Sequence, residues 1–480
     1  MIRPNAARVL IRPFFIENRF RVDPYYAESS RGLQIIARIL SLTEDEVETK
    51  LSNVLSDFEA RHDDVRSFFS ERFSHIASLI PTGRPLSEAR KLLVGAFFTH
   101  EYSFECAALF NPSIVPHPNQ NGTGSGNLRF ILSLRATGEG HLSSVTFRSG
   151  IINGAGGVTL DETAKFVKEP RLTSFQEYDR KLFERKLGEL GLMNGFSKHV
   201  MSSLTKRFTF TELRSAIDFT RRSSSDYALS SGRDLVLLAL SNYEVAFNPE
   251  DDISTRVLFP FSPAQSNGIE DARFVLFRNS GEKTYYATYT AYDGRVTLPQ
   301  MLETSDFINF NISTLNGPVV QNKGMALFPR KIKGAYAMLS RQSGENIHLM
   351  YSDHPHFWLE SKIIMRPDEP WNIVQIGNCG SPIETEAGWL VLTHGVGPMR
   401  KYCIGAVLLD LENPEKIIGS LREPLIEPAP DEREGYVPNV VYTCGAVVHR
   451  QKLVIPYAVS DSATTFAVVN LPELISALKT

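Results

Sequence analysis

The sequence predicts a mainly β chain with a helical region in front of it and a helical block inserted within it. Three observations predict this. From about residue 106, short runs rich in β-branched and aromatic residues recur, among them LRFILSLRA, ARFVLFR, TYYATYTAY, GWLVLTHGV and TFAVVNL. Clusters of Gly, Pro, Asn and Asp separate them at intervals of roughly ten residues, the pattern of a sandwich, barrel or propeller. The first hundred residues instead space their apolar side chains three and four apart, and residues 162–225 combine that helical period with heavy charge.

Taken in chain order, residues 1–105 read as an N-terminal helical region. Thr43 is a helix cap, with Glu46 three residues later to complete a capping box. Arg61-His62-Asp63-Asp64 reads as a solvated helix face. Residues 106–480 read as one β domain, in which neighbouring strand pairs carry aromatic residues and end in Gly-rich turns, as propeller blades do. The block 162–225 is expected to be a helical insertion packed with the N-terminal helices.

Bulk properties narrow the function. The 480 residues are 42% hydrophobic and 22% charged, with a formal net charge of −3, so nothing argues for nucleic acid or an anionic membrane as partner. No run of 18 apolar residues exists. The opening MIRPNAARVLIRPFF lacks an apolar core before a small-residue cleavage site, so no signal peptide is read. Cys106, Cys379, Cys403 and Cys444 are widely spaced and match no zinc pattern. A reduced, cytoplasmic protein without a metal or organic cofactor is expected.

The stretch SNGIEDARF, residues 266–274, places Glu270 and Asp271 side by side with Arg273 just beyond. Adjacent strand residues point to opposite faces, so one carboxylate faces a cleft and the other braces the turn. Other polar residues fall at strand ends with similar regularity: Asn111, Arg148, Lys323, Arg341, His394, Tyr402 and Asp461. Strand ends of a propeller converge on one mouth. Carboxylates with Arg, Lys, His and Tyr suit an anion beside a hydroxyl-rich substrate. The alternative is ordinary polar strand ends, an ion-paired turn at Asp271 and a satisfied core histidine at 394. Trp358, Trp371 and Trp389 are candidate sugar platforms, Trp389 within GWLVL being more naturally core.

FNPS, SSVTFRSG, GIEDAR, ALFPRKIKGAYAMLSR, SPIETEAGWLVLTHGV, GAVLLDLENP and YAVSDSATTFAVVNLPELI, in this order, resemble glycoside hydrolase family 130. That family comprises inverting β-mannoside phosphorylases and related β-mannosidases on a five-bladed β-propeller. The resemblance covers about residues 106–475 outside the insertion, and the N-terminal helices resemble an extension of longer members.

The resemblance implies a catalytic acid at Asp271, in a Glu-Asp-Pro-Arg motif whose proline is Ala272 here. Its proton would pass through a sugar hydroxyl, and its neighbourhood is expected to raise its pKa so that it stays protonated. Lys323, Arg341, His394 and Tyr402 would bind inorganic phosphate as co-substrate. Lys323-Gly324 stands where the pattern has Arg-Asn, and Gln375 where it has a lysine, which removes one cation. Asn111, Arg148 and Asp461 would contact the sugar. The implied reaction is phosphorolysis of a β-mannoside or manno-oligosaccharide to α-mannose 1-phosphate. Two alternatives stay open: a β-mannosidase in which Glu270 or Glu384 activates water, and a non-catalytic carbohydrate-binding propeller. A homo-oligomer is also left open.

Overall fold

The alternating runs become strands almost to the residue. LRFILSLRA lies in Leu128–Thr137, ARFVLFR in Ile269–Asn279, TYYATYTAY in Glu282–Tyr292, and GWLVLTHGV is Gly388–Val396. The computed structural model describes residues 1–14, 30–81, 83–175, 177–223, 229–294 and 296–479. They divide into two compact units: Met1–Asn5 with Glu105–Ala164 and Lys168–Thr480, and Ala6–Phe104 with Lys165–Val167.

The larger unit is mainly β. Among the described residues it contains five antiparallel sheets of four or more strands. The first is built on Ala108–Pro116, Leu128–Thr137 and Ser143–Ile152, and the second on Ile269–Asn279 through Asn309–Thr314. The third runs from Ala326–Leu327 to Ser361–Met365, the fourth from Gln375–Asn378 to Ile417–Ser420, and the fifth from Val441–Tyr442 to Ala463–Asn470. Ile2 exchanges backbone hydrogen bonds with Thr464 on the fifth.

Apolar side chains pack between successive sheets. Phe147 of the first sheet meets Phe274, Phe307 and Phe310 around the second at centroid distances of 5.5–6.2 Å for the group. Such pairs add about 1 kcal/mol each beyond the area they bury. Val275 and Phe277 share a cluster with Met338 and Met350 of the third sheet. Leu339 and Leu349 share one with Trp389 and Val391 of the fourth. Leu392 and Ile404 share one with Leu453 and Ile455 of the fifth. Phe110 of the first sheet and Tyr442 of the fifth belong to one further cluster.

The inserted block is less uniformly helical than its charge suggests. Arg171–Phe175 is a strand on the edge of the second sheet, paired with Tyr243–Ala246. Helices Arg180–Glu189, Gly195–Ser202, Phe210–Ser223 and Leu229–Leu240 follow. The first is anchored where buried Lys186 donates to the Leu315 carbonyl at 2.8 Å and Glu189 accepts from Gly317 N. These helices belong to the unit of the sheets.

The smaller unit holds helices Ser30–Leu40, Glu44–Phe58, Val65–Ile76 and Glu88–Phe97. Thr43 caps the second, and Glu46 closes the capping box. The expected solvated face at 61–64 holds for Arg61, Asp63 and Asp64, which are exposed, and fails at His62, which is buried. Asp64 caps the third helix through Ser67 N, and buried His62 bonds Glu101 at 2.7 Å. Gly95 is required where two helices cross, because a Cβ there would lie 2.0 Å from the Phe69 carbonyl oxygen. Among the described residues no helix is long and apolar enough to cross a membrane.

Candidate active site

Two matching bulges build the centre. Phe110 pairs with Arg135 and Ser113 with Ser133, so Asn111 and Pro112 together oppose one residue. Glu270 pairs with Thr290 and Arg273 with Thr288, so Asp271 and Ala272 do the same in the next sheet. Asn111 and Asp271 both have positive φ, 47° and 55°, a conformation that short Asn and Asp side chains tolerate better than most. Asn111 Nδ2 donates to Asp271 Oδ1 at 2.6 Å.

Two arginines bracket this carboxylate. Arg135 donates from Nη1 to Asp271 Oδ1 at 3.2 Å and from Nη2 to Glu270 Oε1 at 2.8 Å. Its Nε donates to the Ser143 hydroxyl, and its guanidinium lies over the Phe110 ring. Arg273 donates to the Cys379 and Asp271 carbonyls, both at 3.0 Å, and to the Tyr442 hydroxyl at 2.8 Å. Asp271 is 7% exposed. Burial alone would raise its pKa, but Arg135, Lys323, Arg273 and the Asn111 amide together hold it well below the usual carboxylate range. This corrects the expectation of a raised pKa. The motif showed one arginine; folding surrounds the carboxylate with three cations.

A second group gathers at the ends of the third and fourth sheets. Arg341 is buried, and its Nη1 lies 3.1 Å from His394 Nε2. Gln375 Nε2 lies 3.2 Å from the same atom. A guanidinium only donates, so His394 Nε2 accepts and the ring is neutral with its proton on Nδ1. Burial and the charges of Arg341, Arg273 and Lys323 agree, pushing the His394 pKa well below its ordinary value. Arg341 Nε and His394 Nδ1 are buried and have no hydrogen-bond partner among the described residues. Tyr402 stacks on His394 with centroids 6.1 Å apart and planes within 10°. Gly377 leaves the room for this pair, since a Cβ there would lie 2.4 Å from His394 Cε1 and 3.0 Å from Arg341 Cδ. Lys323 acts electrostatically on both Asp271 and His394, and its carbonyl accepts from Arg341 N.

Asp461 occupies the turn between the last two strands with φ of 49°. Its pKa is pushed up to about 6 by burial and by the charge of Asp271, against the pull of Arg135, Arg400 and Lys323. Asn111, Asp271, Lys323, Arg341, His394, Tyr402 and Asp461 are thus linked by contacts or charge.

Arg148 is not brought into this group. It is buried against Glu105, with Nη2 3.1 Å from Oε2, and also donates to the Phe147 carbonyl. A guanidinium with no water to reach takes the nearest carboxylate, and that is Glu105. Arg135, which the sequence reading passed over, stands beside Asp271 instead. Its only signal was its place at the end of LRFILSLRA. Glu384 is held by Arg330 at 2.8 Å over the Trp389 ring. Trp358 and Trp389 are fully buried and offer no platform. Trp371 fills the slot that Gly395 and Gly405 leave open. Among the described residues no group of three or more His, Cys, Asp or Glu is arranged to hold a metal ion.

Comparison with known proteins gives consistent matches. The glycoside hydrolase family 130 model, described as beta-1,4-mannooligosaccharide phosphorylase, matches residues 235–480. A 1,2-beta-oligomannan phosphorylase of Thermoanaerobacter sp. (strain X514) is 34% identical over 215 residues, covering 43% of this chain and 70% of the relative. A beta-1,2-mannobiose phosphorylase of Listeria innocua is 31% identical over 235 residues, covering 46% of this chain and 63% of the relative. Among solved structures, a beta-1,2-mannobiose phosphorylase from Listeria innocua in complex with beta-1,2-mannobiose aligns with a TM-score of 0.46 at 22% identity. That alignment covers 78% of this chain and 92% of that one.

Proposed function

The chain belongs to glycoside hydrolase family 130, and from that premise we propose that it cleaves β-mannosidic linkages by inverting phosphorolysis, releasing α-mannose 1-phosphate, or runs the same reaction backwards. One observation carries the choice of phosphate over water. Arg341 Nε and His394 Nδ1 are buried donors without partners among the described residues, and such groups are costly unless a ligand satisfies them. An oxyanion beside Lys323, Arg341, His394 and Tyr402 would do so. A hydrolase using Glu270 or Glu384 would instead need that carboxylate free to activate water. Glu270 is engaged by Arg135 and Glu384 by Arg330.

In this reading Asp271 is the acid. Arg135, Lys323 and Arg273 favour its ionised form, so the proton must arrive with the substrates. Phosphate brings negative charge against Lys323 and Arg341, offsets the charge with which Lys323 holds Asp271 ionised and so raises the affinity of Asp271 for a proton. Protonated Asp271 then supplies the glycosidic oxygen through a sugar hydroxyl, and phosphate forms its bond to the anomeric carbon on the opposite face as the old bond breaks. A positioned acid of this kind contributes ~10²–10⁴-fold. Asn111 and Asp461 hold the mannosyl ring. The five sheets, with apolar clusters from each to the next and from fifth to first, support reading them as five propeller blades. The unpaired cysteines fit a cytoplasmic enzyme.

The test is the anomeric configuration of the sugar phosphate formed from β-1,2- and β-1,4-mannobiose with inorganic phosphate. The α-anomer supports the proposal. A β-anomer, or free mannose as the sole product from both, rejects it.

A further inference from the structure

Two hairpins at the site end of the sheets are built alike. Gly138 N donates to the Leu142 carbonyl, and Gly397 N to that of Lys401, both at 3.0 Å. Their tips carry two consecutive residues of positive φ: Gly140 and His141 at 65° and 61°, Met399 and Arg400 at 56° each. A glycine suits such a turn, yet the second tip has none and bears two long side chains in a conformation that side chains resist. Backbone strain of this kind tends to mark sites where a side chain must be presented in one direction.

What these tips present is continuous with the catalytic centre. Arg400 makes no hydrogen bond or ion pair among the described residues, and its charge acts on Asp461. The segment around Tyr436 is laid against the turn that carries Asp461. Val437 N donates to the Ser460 carbonyl, and Gly435 approaches so closely that a Cβ would lie 2.5 Å from that oxygen. Tyr436 reaches to the first hairpin, its hydroxyl 2.9 Å from His141 Nδ1. Arg400, Asp461, Tyr436 and His141 therefore form one rim. Tyr436 is 48% exposed and Met399 91% exposed, an unusual display of apolar surface beside a polar centre.

We propose that this rim binds the leaving-side sugar of the substrate, a neutral hexopyranose, with its apolar face on Tyr436 and Met399 and its hydroxyls on His141 and Arg400. A pyranose offers both kinds of surface, and an amphipathic ring such as Tyr436 matches them. The single exposed cation of the rim is offset by Asp461, so the rim does not select a charged sugar. This assignment rests on the reading of the site as one that cleaves β-mannosides.

The experiment runs the reaction towards synthesis, from α-mannose 1-phosphate and mannose, in Tyr436→Ala, Tyr436→Phe and Arg400→Ala. Tyr436→Ala and Arg400→Ala are expected to raise KM for the acceptor about tenfold or more, with KM for α-mannose 1-phosphate unchanged. Tyr436→Phe, which keeps the ring, should change the acceptor KM much less than Tyr436→Ala. An unchanged acceptor KM in both the alanine variants overturns the assignment, as does an equal rise in both KM values. If the wild type proves to be a hydrolase, the phosphorylase reading falls separately. The rim is then tested by KM for β-mannobiose against p-nitrophenyl β-mannoside, whose leaving group is no sugar. Only the former should rise, and an equal rise contradicts the rim.

Discussion

Asn111 and Asp271 meet at 2.6 Å from matching bulges of neighbouring sheets, each in a left-handed backbone conformation. The contact fixes one carboxylate oxygen, and the proposed reaction uses the other. Asn111→Gly should lose the hydrogen bond without penalty to the backbone. Asn111→Ala should lose it and also take on roughly 1–2 kcal/mol of strain. Both variants should therefore lose turnover similarly, about tenfold, while the alanine variant melts at the lower temperature. Equal melting temperatures would contradict strain at position 111.

Asp271→Asn should lower kcat at least ~10²-fold on a poor leaving group. It also separates catalysis from stability. Burial works against the Asp271 charge, but Arg135, Lys323, Arg273 and Asn111 outweigh it and depress the pKa. A depressed carboxylate stabilises the fold above its unfolded pKa and loses that contribution as pH falls through the folded one. The variant should thus melt lower than the wild type at pH 7, with the gap shrinking only below about pH 4. Near-normal turnover in the variant would remove Asp271 as the acid.

Asp461 should behave with the opposite sign. Burial and Asp271 push its pKa up to about 6, so its charge is tolerated poorly in the folded state at higher pH. Asp461→Asn should raise the melting temperature at pH 8, by ~2 °C, and the gain should vanish by about pH 4 as the wild-type group takes up its proton. With Asp461 holding the sugar as proposed above, activity should also fall. A gain that persists at pH 4 would show that the group is not titrating in this window.

Gly377 and Gln375 test the anion site from two sides. Gly377→Ala places a Cβ 2.4 Å from His394 Cε1, so KM for phosphate should rise at least tenfold. Gln375→Lys adds a cation where an amide now lies 3.2 Å from His394 Nε2. Charge-assisted hydrogen bonds are roughly twice as strong as neutral ones, so KM for phosphate should fall. An unchanged KM in both variants would place the anion elsewhere.

The local chemistry was legible in the sequence and the long-range chemistry was not. Thr43 and Glu46 announce a cap because the motif is complete within four residues. Strands such as Gly388–Val396 announce themselves by composition. Asp271 stood out by its turn and by family resemblance, but its pKa depends on Arg135, which arrives from another sheet, and on Lys323, which lies in the bend before the strand Ala326–Leu327. Arg148 and Arg135 both sit on strands of the first sheet and look equivalent in one dimension. Which of them reaches Asp271 is decided by register: Arg135 pairs with Phe110 at the bulge, whereas Arg148 pairs with Leu132. The strand Arg171–Phe175 was hidden within a highly charged block, and only its pairing with Tyr243–Ala246 makes it a strand.

Ala272 stands at the bulge position that Pro112 fills in the first sheet, beside an apolar pocket lined by Val145, Phe274 and Leu302. Ala272→Pro should be accepted there and raise stability by about 0.4–1 kcal/mol through the unfolded chain, with kcat retained. A loss of stability, measured by denaturant unfolding, would mean that the two bulges differ in backbone.

The most direct test of the central claim is the initial rate on a β-mannobiose with and without inorganic phosphate, in the wild type and in Arg341→Ala. Cleavage should require phosphate, yield mannose 1-phosphate in equal amount to the released sugar, and show a steeply raised KM for phosphate in the variant. Cleavage at one rate with or without phosphate, giving free mannose only, would contradict it.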